Sequence, residues 1–178
     1  MAAKPEVTGR RCPGPRYQDL LDADSRPVPA CLREEAGEDL GTAPLDASRY
    51  FSRAFFEQEA DRLWPRVWQM VCREEHLPDV GDTVVYDIVG RSVLVVRTAP
   101  DQLKAFHNAC LHRGRKLREC DGRAEHLRCP FHGFTWELDG RLKSIPCAWD
   151  FTHLEGQDLS LPELQVDTWG GFVFINMD

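Results

Sequence analysis

The spacing of apolar positions changes along the chain, and the change marks out the elements. Over residues 1–43 apolar side chains are scattered among Pro, Gly and charge. This stretch reads as an extended arm with one short helical turn at Tyr17–Asp22. Between Ser52 and Trp64, the residues Phe56, Ala60, Leu63 and Trp64 fall at i, i+4, i+7 and i+8, one face of a helix. Ser52 can cap its start and Pro65 marks its end. "VWQMVC" (Val67–Cys72) is apolar except for Gln69 and too short for a helix, so it predicts a buried strand. Period-two, β-branched runs then follow at Thr83–Val89, Ser92–Arg97 and Leu103–His107. Thr135–Leu138 and Leu142–Ser144 flank Asp139-Gly140, and Gln165–Trp169 and Phe172–Asn176 flank Gly170-Gly171. Together with Gly90-Arg91 these dipeptides are hairpin signals. The pattern predicts a mainly β, antiparallel fold, a small sandwich or barrel, preceded by an irregular arm (1–45) and one helix.

Composition narrows the function class. The chain has 178 residues, enough for one domain plus an arm, and 42% are hydrophobic, enough for a core. A formal net charge of -7 argues against a nucleic-acid partner. No apolar run approaches the roughly 20 residues of a membrane span, and the N-terminus lacks the apolar segment of a secretory signal. A soluble cytoplasmic protein is expected, with no membrane partner. The seven cysteines (Cys12, Cys31, Cys72, Cys110, Cys120, Cys129 and Cys147) are odd in number, which does not suit a disulfide framework.

Chemistry concentrates in two segments. "FHNACLHRG" (Phe106–Gly114) offers Cys110 and His112 as C-x-H, and "CPFHGF" (Cys129–Phe134) offers Cys129 and His132 as C-x-x-H. One thiolate and one imidazole per loop suit a Rieske-type [2Fe–2S] cluster, in which one iron takes two Cys and the other two His. Neutral imidazoles remove negative charge relative to four thiolates. They raise the potential to roughly −150 to +300 mV, against about −400 mV for plant-type ferredoxins. Gly114 and Gly133 follow the histidines, where small residues let backbone N–H groups approach the sulfides. The same four residues could instead hold Zn²⁺, although zinc sites typically pair Cys with Cys and His with His.

At these residues the sequence resembles the Rieske non-haem iron oxygenases, specifically the N-terminal part of the large (α) subunit of aromatic-ring-hydroxylating oxygenases. "AFHNACLHRGRKL" (Ala105–Leu117), "CPFHGFTWELDGRL" (Cys129–Leu142) and "WGGFVFINMD" (Trp169–Asp178) carry the likeness, which runs through about residues 46–178. It implies a cluster domain of three small antiparallel sheets with two cluster-binding loops. It implies mono- or dioxygenase chemistry using O₂ and NAD(P)H-derived electrons. A ferredoxin or flavin reductase would be the electron donor, and the full-length subunit would form a homotrimer or an alpha-beta hexamer. The family's mononuclear Fe(II) belongs to a C-terminal catalytic domain, and no second group of two His and a carboxylate is found in this chain. The segment alone is expected to accept an electron without hydroxylating. A stand-alone Rieske ferredoxin is the alternative. Phe134 stands where the family often has Trp. Arg115 and Phe131 stand where respiratory Rieske proteins carry an extra disulfide. Phe134 and Trp136 replace their hydroxyl donors to sulfur, which should lower the potential.

Other residues carry weaker expectations. Cys72 and Cys147 read as small core residues, Cys120 as incidental in a turn, and Cys12 and Cys31 have no evident role. His107 either packs beside the cluster or closes a strand, and His126 and His153 are expected exposed. Trp64, Trp68 and Trp169 read as core or interdomain packing. Arg113, Arg115, Lys116 and Arg118 form a basic stretch, either solvated or a docking rim for an acidic donor.

Overall fold

The computed structural model describes residues 14–33 and 43–178, and the chain divides into two units, Met1–Leu45 and Asp46–Asp178. In the first unit a single helical turn, α1 (Tyr17–Asp22), is followed by a 3-10 turn at Ala30–Leu32, with Arg33 bridged to Asp22 at 2.6 Å. Cys12 lies outside the described residues.

The second unit opens with α2 (Arg53–Arg62). The Ser52 hydroxyl accepts the Phe55 N–H at 3.3 Å, as the cap requires, and Pro65 sits in a 3-10 turn that ends the helix. None of its residues is buried.

Ten strands follow: β1 (Gln69–Arg73), β2 (Asp82–Ile88), β3 (Arg91–Ala99), β4 (Gln102–His107), β5 (Gly122–Arg123), β6 (Leu127–Arg128), β7 (Thr135–Trp136), β8 (Leu142–Ser144), β9 (Glu163–Trp169) and β10 (Phe172–Asn176). All the pairings are antiparallel. β6, β7 and β8 form a small sheet by themselves, and the other seven strands run in the order β1-β10-β9-β4-β3-β2-β5. Only two residue pairs, Ala105↔Leu164 and Phe106↔Glu163, join β9 to β4. The larger sheet is therefore two ribbons linked by a short bridge.

β3 sits at the centre, and its alternation divides the core. Val93 and Val95 face one cluster with Leu77, Ala105, Val173 and Ile175. Leu94 and Val96 face the other, with Phe106, Leu117, Leu127, Phe134 and Trp136. The second cluster also contains Cys110 and Cys129, so the two cysteine ligand candidates lie on one face of the sheet. Trp136 is fully buried and donates its indole N–H to the Leu159 carbonyl at 2.8 Å.

Several expectations are corrected. In β1 it is Gln69 that is buried, at 5% exposure, while Trp68 and Met70 are exposed. Alternation puts Gln69 inward, and its amide is satisfied there: it donates to the Trp64 carbonyl and accepts from the Tyr86 hydroxyl at 3.2 Å. The β2–β3 turn is Val89-Gly90 rather than Gly90-Arg91. Both residues have positive φ (43° and 78°), as a two-residue turn of the mirror-image type demands. Cys147 is exposed, not core, and adopts a left-handed backbone as the lead-in to a 3-10 turn at Ala148–Leu154. Trp169 is 78% exposed and Trp68 likewise lies outside both cores, which removes the core alternative for these two and leaves interdomain packing. His126 is half-buried in a surface network with Glu137 at 3.1 Å, which Lys143 also reaches at 3.1 Å.

Candidate metal centre

Two loops built on one backbone plan carry the predicted ligands. In the first, between β4 and β5, the Cys110 N–H donates to the Arg115 carbonyl and the Gly114 N–H to the Cys110 carbonyl, both at 2.8 Å. In the second, between β6 and β7, the Cys129 N–H donates to the Phe134 carbonyl at 2.8 Å and the Gly133 N–H to the Cys129 carbonyl at 3.1 Å. Each cysteine thus donates to the fifth residue on and accepts from the fourth, which is Gly in both loops. Gly114 (φ +70°) and Gly133 (φ +78°) occupy the left-handed region where other residues are strained. A β-carbon on Gly133 would also crowd Pro146 at 3.2 Å and the Arg128 guanidinium at 3.3 Å. The glycine N–H groups are therefore spent on closing the loops. The N–H groups that reach the Cys110 sulfur are those of His112 and Arg113.

All four predicted residues come together. Cys110 and Cys129 are buried, near enough to each other that the Cys129 thiol raises that of Cys110. The imidazoles of His112 and His132 lie 4.8 Å apart, centroid to centroid, at 54°. His112 is half-buried, stacked on Phe134 and edge-on to Phe151 at 5.7 Å, whereas His132 is exposed and stacks on Phe131. Burial pushes the Cys110 thiol up, opposed by the two N–H donors, while the Cys129 thiol pushes the same way as burial. Burial, together with His132 and Arg113, lowers the pKa of the His112 imidazole. The Nδ1 atom of His112 is buried and has no hydrogen-bond partner in the protein, the one such side-chain atom among the described residues. A buried polar atom left in this way is costly unless something else fills it.

Among the described residues, no three His, Cys, Asp or Glu side chains gather around one point fit for a single metal ion. The donors form a thiol pair and an imidazole pair.

Of the other described cysteines, Cys31, Cys120 and Cys147 are exposed and Cys72 is buried. His107 closes β4. His153 is exposed. The basic stretch is half neutralised: Arg115 pairs with Glu119 and Lys116 with Asp87, both at 2.7 Å. Two contributors escaped the sequence reading. Phe151 packs on His112 from a distant 3-10 turn, which no local pattern announces. Asn108 is buried beside the first loop, and its only sequence signal is a polar residue at the end of an apolar strand.

A family model described as Rieske [2Fe-2S] domain matches residues 67–161, which include both loops. The chain belongs to the Rieske [2Fe–2S] domain family. The Rieske domain is similar to the carnitine monooxygenase oxygenase subunit of Escherichia coli (strain K12), 31% identical over 135 residues, covering 75% of this chain and 36% of that one. It is 32% identical over 139 residues to the biphenyl 2,3-dioxygenase alpha subunit of Rhodococcus jostii (strain RHA1), covering 77% and 30% of the two chains. Among solved structures, a quaternary ammonium Rieske monooxygenase bound to L-carnitine matches with a TM-score of 0.68 and 31% identity, over 74% of this chain and 38% of the other. The chain thus spans about a third of the length of the relatives it matches. The mainly β, antiparallel fold expected from the strand pattern is observed, and it is the Rieske fold that the resemblance implied.

Proposed function

We propose that Cys110 and Cys129 bind one iron, and His112 and His132 the other, of a [2Fe–2S] cluster. On this reading the chain is the electron-transfer domain of a ring-hydroxylating oxygenase α subunit. The observation that carries it is the partnerless, buried Nδ1 of His112 beside a second imidazole and a thiol pair. The two-plus-two grouping favours a two-iron cluster over zinc, which needs four donors around one point. When bound, the cluster supplies a one-electron couple at a potential raised by its imidazole ligands.

The residues of the chain prepare that site. The His112 and Arg113 N–H groups stabilise negative charge on the Cys110 sulfur. Phe134 and Phe151 exclude water from the His112 side. His132, Leu111 and Phe131 are exposed and form the open edge at which a protein electron donor or acceptor approaches. The donor is a ferredoxin or flavin reductase, and the acceptor is a mononuclear Fe(II) site outside this segment. The assembly is a homotrimer or alpha-beta hexamer. Inter-subunit electron transfer is a feature of one quaternary ammonium Rieske monooxygenase relative. Among the described residues no helix is long and apolar enough to cross a membrane, and the cytoplasm is the proposed location.

The experiment is ligand exchange. His112→Cys and His132→Cys should each move the EPR spectrum of the reduced chain toward that of an all-thiolate cluster. An unchanged spectrum in either variant would overturn the assignment of that histidine.

A further inference from the structure

Asn108 stands two residues before Cys110 and is 2% exposed. Its side chain makes four hydrogen bonds. Oδ1 accepts the N–H groups of Leu117 and Arg118, at 3.0 and 3.1 Å. Nδ2 donates to the Arg118 carbonyl at 2.8 Å and to the Ser92 hydroxyl at 3.1 Å. Its backbone N–H adds a fifth bond, to the Ser92 carbonyl at 2.9 Å. One side chain thereby ties the two ends of the first loop to each other and to β3. The second loop has no such staple: its one side-chain bond among the described residues is from the Thr135 hydroxyl to the Gly133 carbonyl at 2.9 Å.

We infer that Asn108 is a positioning residue for the metal centre, its amide holding the loop that carries Cys110 and His112 closed in the absence of metal. The inference rests on the ligand assignment above. The first loop is long and mostly polar, with Cys110 and Leu117 as its core contacts, and a fully satisfied buried amide adds a constraint that spans it. The site is therefore built unevenly. The Cys110–His112 half is set before metal arrives by this side chain, whereas the Cys129–His132 half rests on its backbone closure and core packing.

The charge and shape of the amide set the choice of variants. Asn108→Asp keeps both acceptor bonds but turns a carboxylate oxygen toward the Arg118 carbonyl. Asn108→Ala removes all four. Ser92→Ala removes one and leaves the span across the loop intact. Val173→Ala, in the opposite core, serves as a destabilised control that touches neither loop.

Two measurements test it on the 178-residue chain. The first is the rate of iron loss to a ferrous chelator at a fixed interval below each variant's melting temperature. Asn108→Asp and Asn108→Ala should lose iron roughly tenfold faster or more, with broadened EPR features. Ser92→Ala should change this much less, and Val173→Ala not at all. The second is amide exchange in the metal-free chain, where residues 109–118 should stay protected in wild type and lose protection in Asn108→Asp. Equal iron loss in Asn108→Asp and Val173→Ala, or an unprotected first loop in the metal-free wild type, would overturn the inference. If Asn108→Ala does not fold, Asn108→Asp and Ser92→Ala carry the comparison. A wild-type chain that binds no [2Fe–2S] cluster would sink the ligand assignment instead, and the exchange result would still decide whether Asn108 closes the loop.

Discussion

The ring of Phe134 lies almost parallel to the imidazole of His112, 12° between planes and 4.9 Å between centroids. The contact crosses from the second loop to the first, so the second loop helps to orient the first loop's ligand. Phe134 is also buried in the core beneath the site. Phe134→Ala should cost about 3–5 kcal/mol, the usual range for a buried phenylalanine. Phe134→Leu should cost less and still free the His112 ring to rotate. A denaturant titration checks the stability, and broadened EPR features in the Leu variant check the orientation.

Gly140 is fixed by two constraints at once. Its φ is +88°, and a β-carbon there would stand 2.5 Å from the Phe106 ring. Its carbonyl also accepts the Leu161 N–H at 2.8 Å, so the turn cannot swing away freely. Gly140→Ala should lower stability by at least about 2 kcal/mol, from left-handed strain and overpacking together. The loss would appear as a lower urea midpoint with an unchanged slope.

Cys72 gives a pH signature. Burial and the nearby Asp121 carboxylate push its thiol up to about 11, against an ordinary value of about 8.5. Ionising it opposes folding. Its contribution is fully present below about pH 8.5 and is lost as the pH rises toward 11. Cys72→Ala should therefore show a shallower fall in urea midpoint between pH 8 and 11 than wild type. At pH 8 a thiol reagent should modify Cys31, Cys120 and Cys147, which are exposed, and spare Cys72.

Much of this was legible in the sequence, because period-two alternation and hairpin dipeptides report directly on strands. The helix was legible in the cap at Ser52 and the stop at Pro65. The four ligand candidates stood out because two mixed Cys/His half-motifs recur beside glycines. The same pair of loops also holds C-x-x-x-G twice, at Cys110–Gly114 and Cys129–Gly133, a spacing that encodes the shared backbone plan.

What escaped the sequence was set by long-range partners. Gln69 looked like the polar flaw in an apolar strand, yet it is buried, because the Trp64 carbonyl and the Tyr86 hydroxyl receive it. β5 and β6 are two residues each and too short to show a period. Asn108 and Phe151 act on the site through residues 9 or more positions away, which no local window contains.

Metal analysis joined to EPR on the purified 178-residue chain tests the central claim most directly. Two irons and two acid-labile sulfides per chain are expected, with a Rieske-type EPR spectrum after reduction by one electron. Stoichiometric zinc without iron, or an iron-loaded chain whose reduced spectrum is that of an all-thiolate cluster, would contradict it.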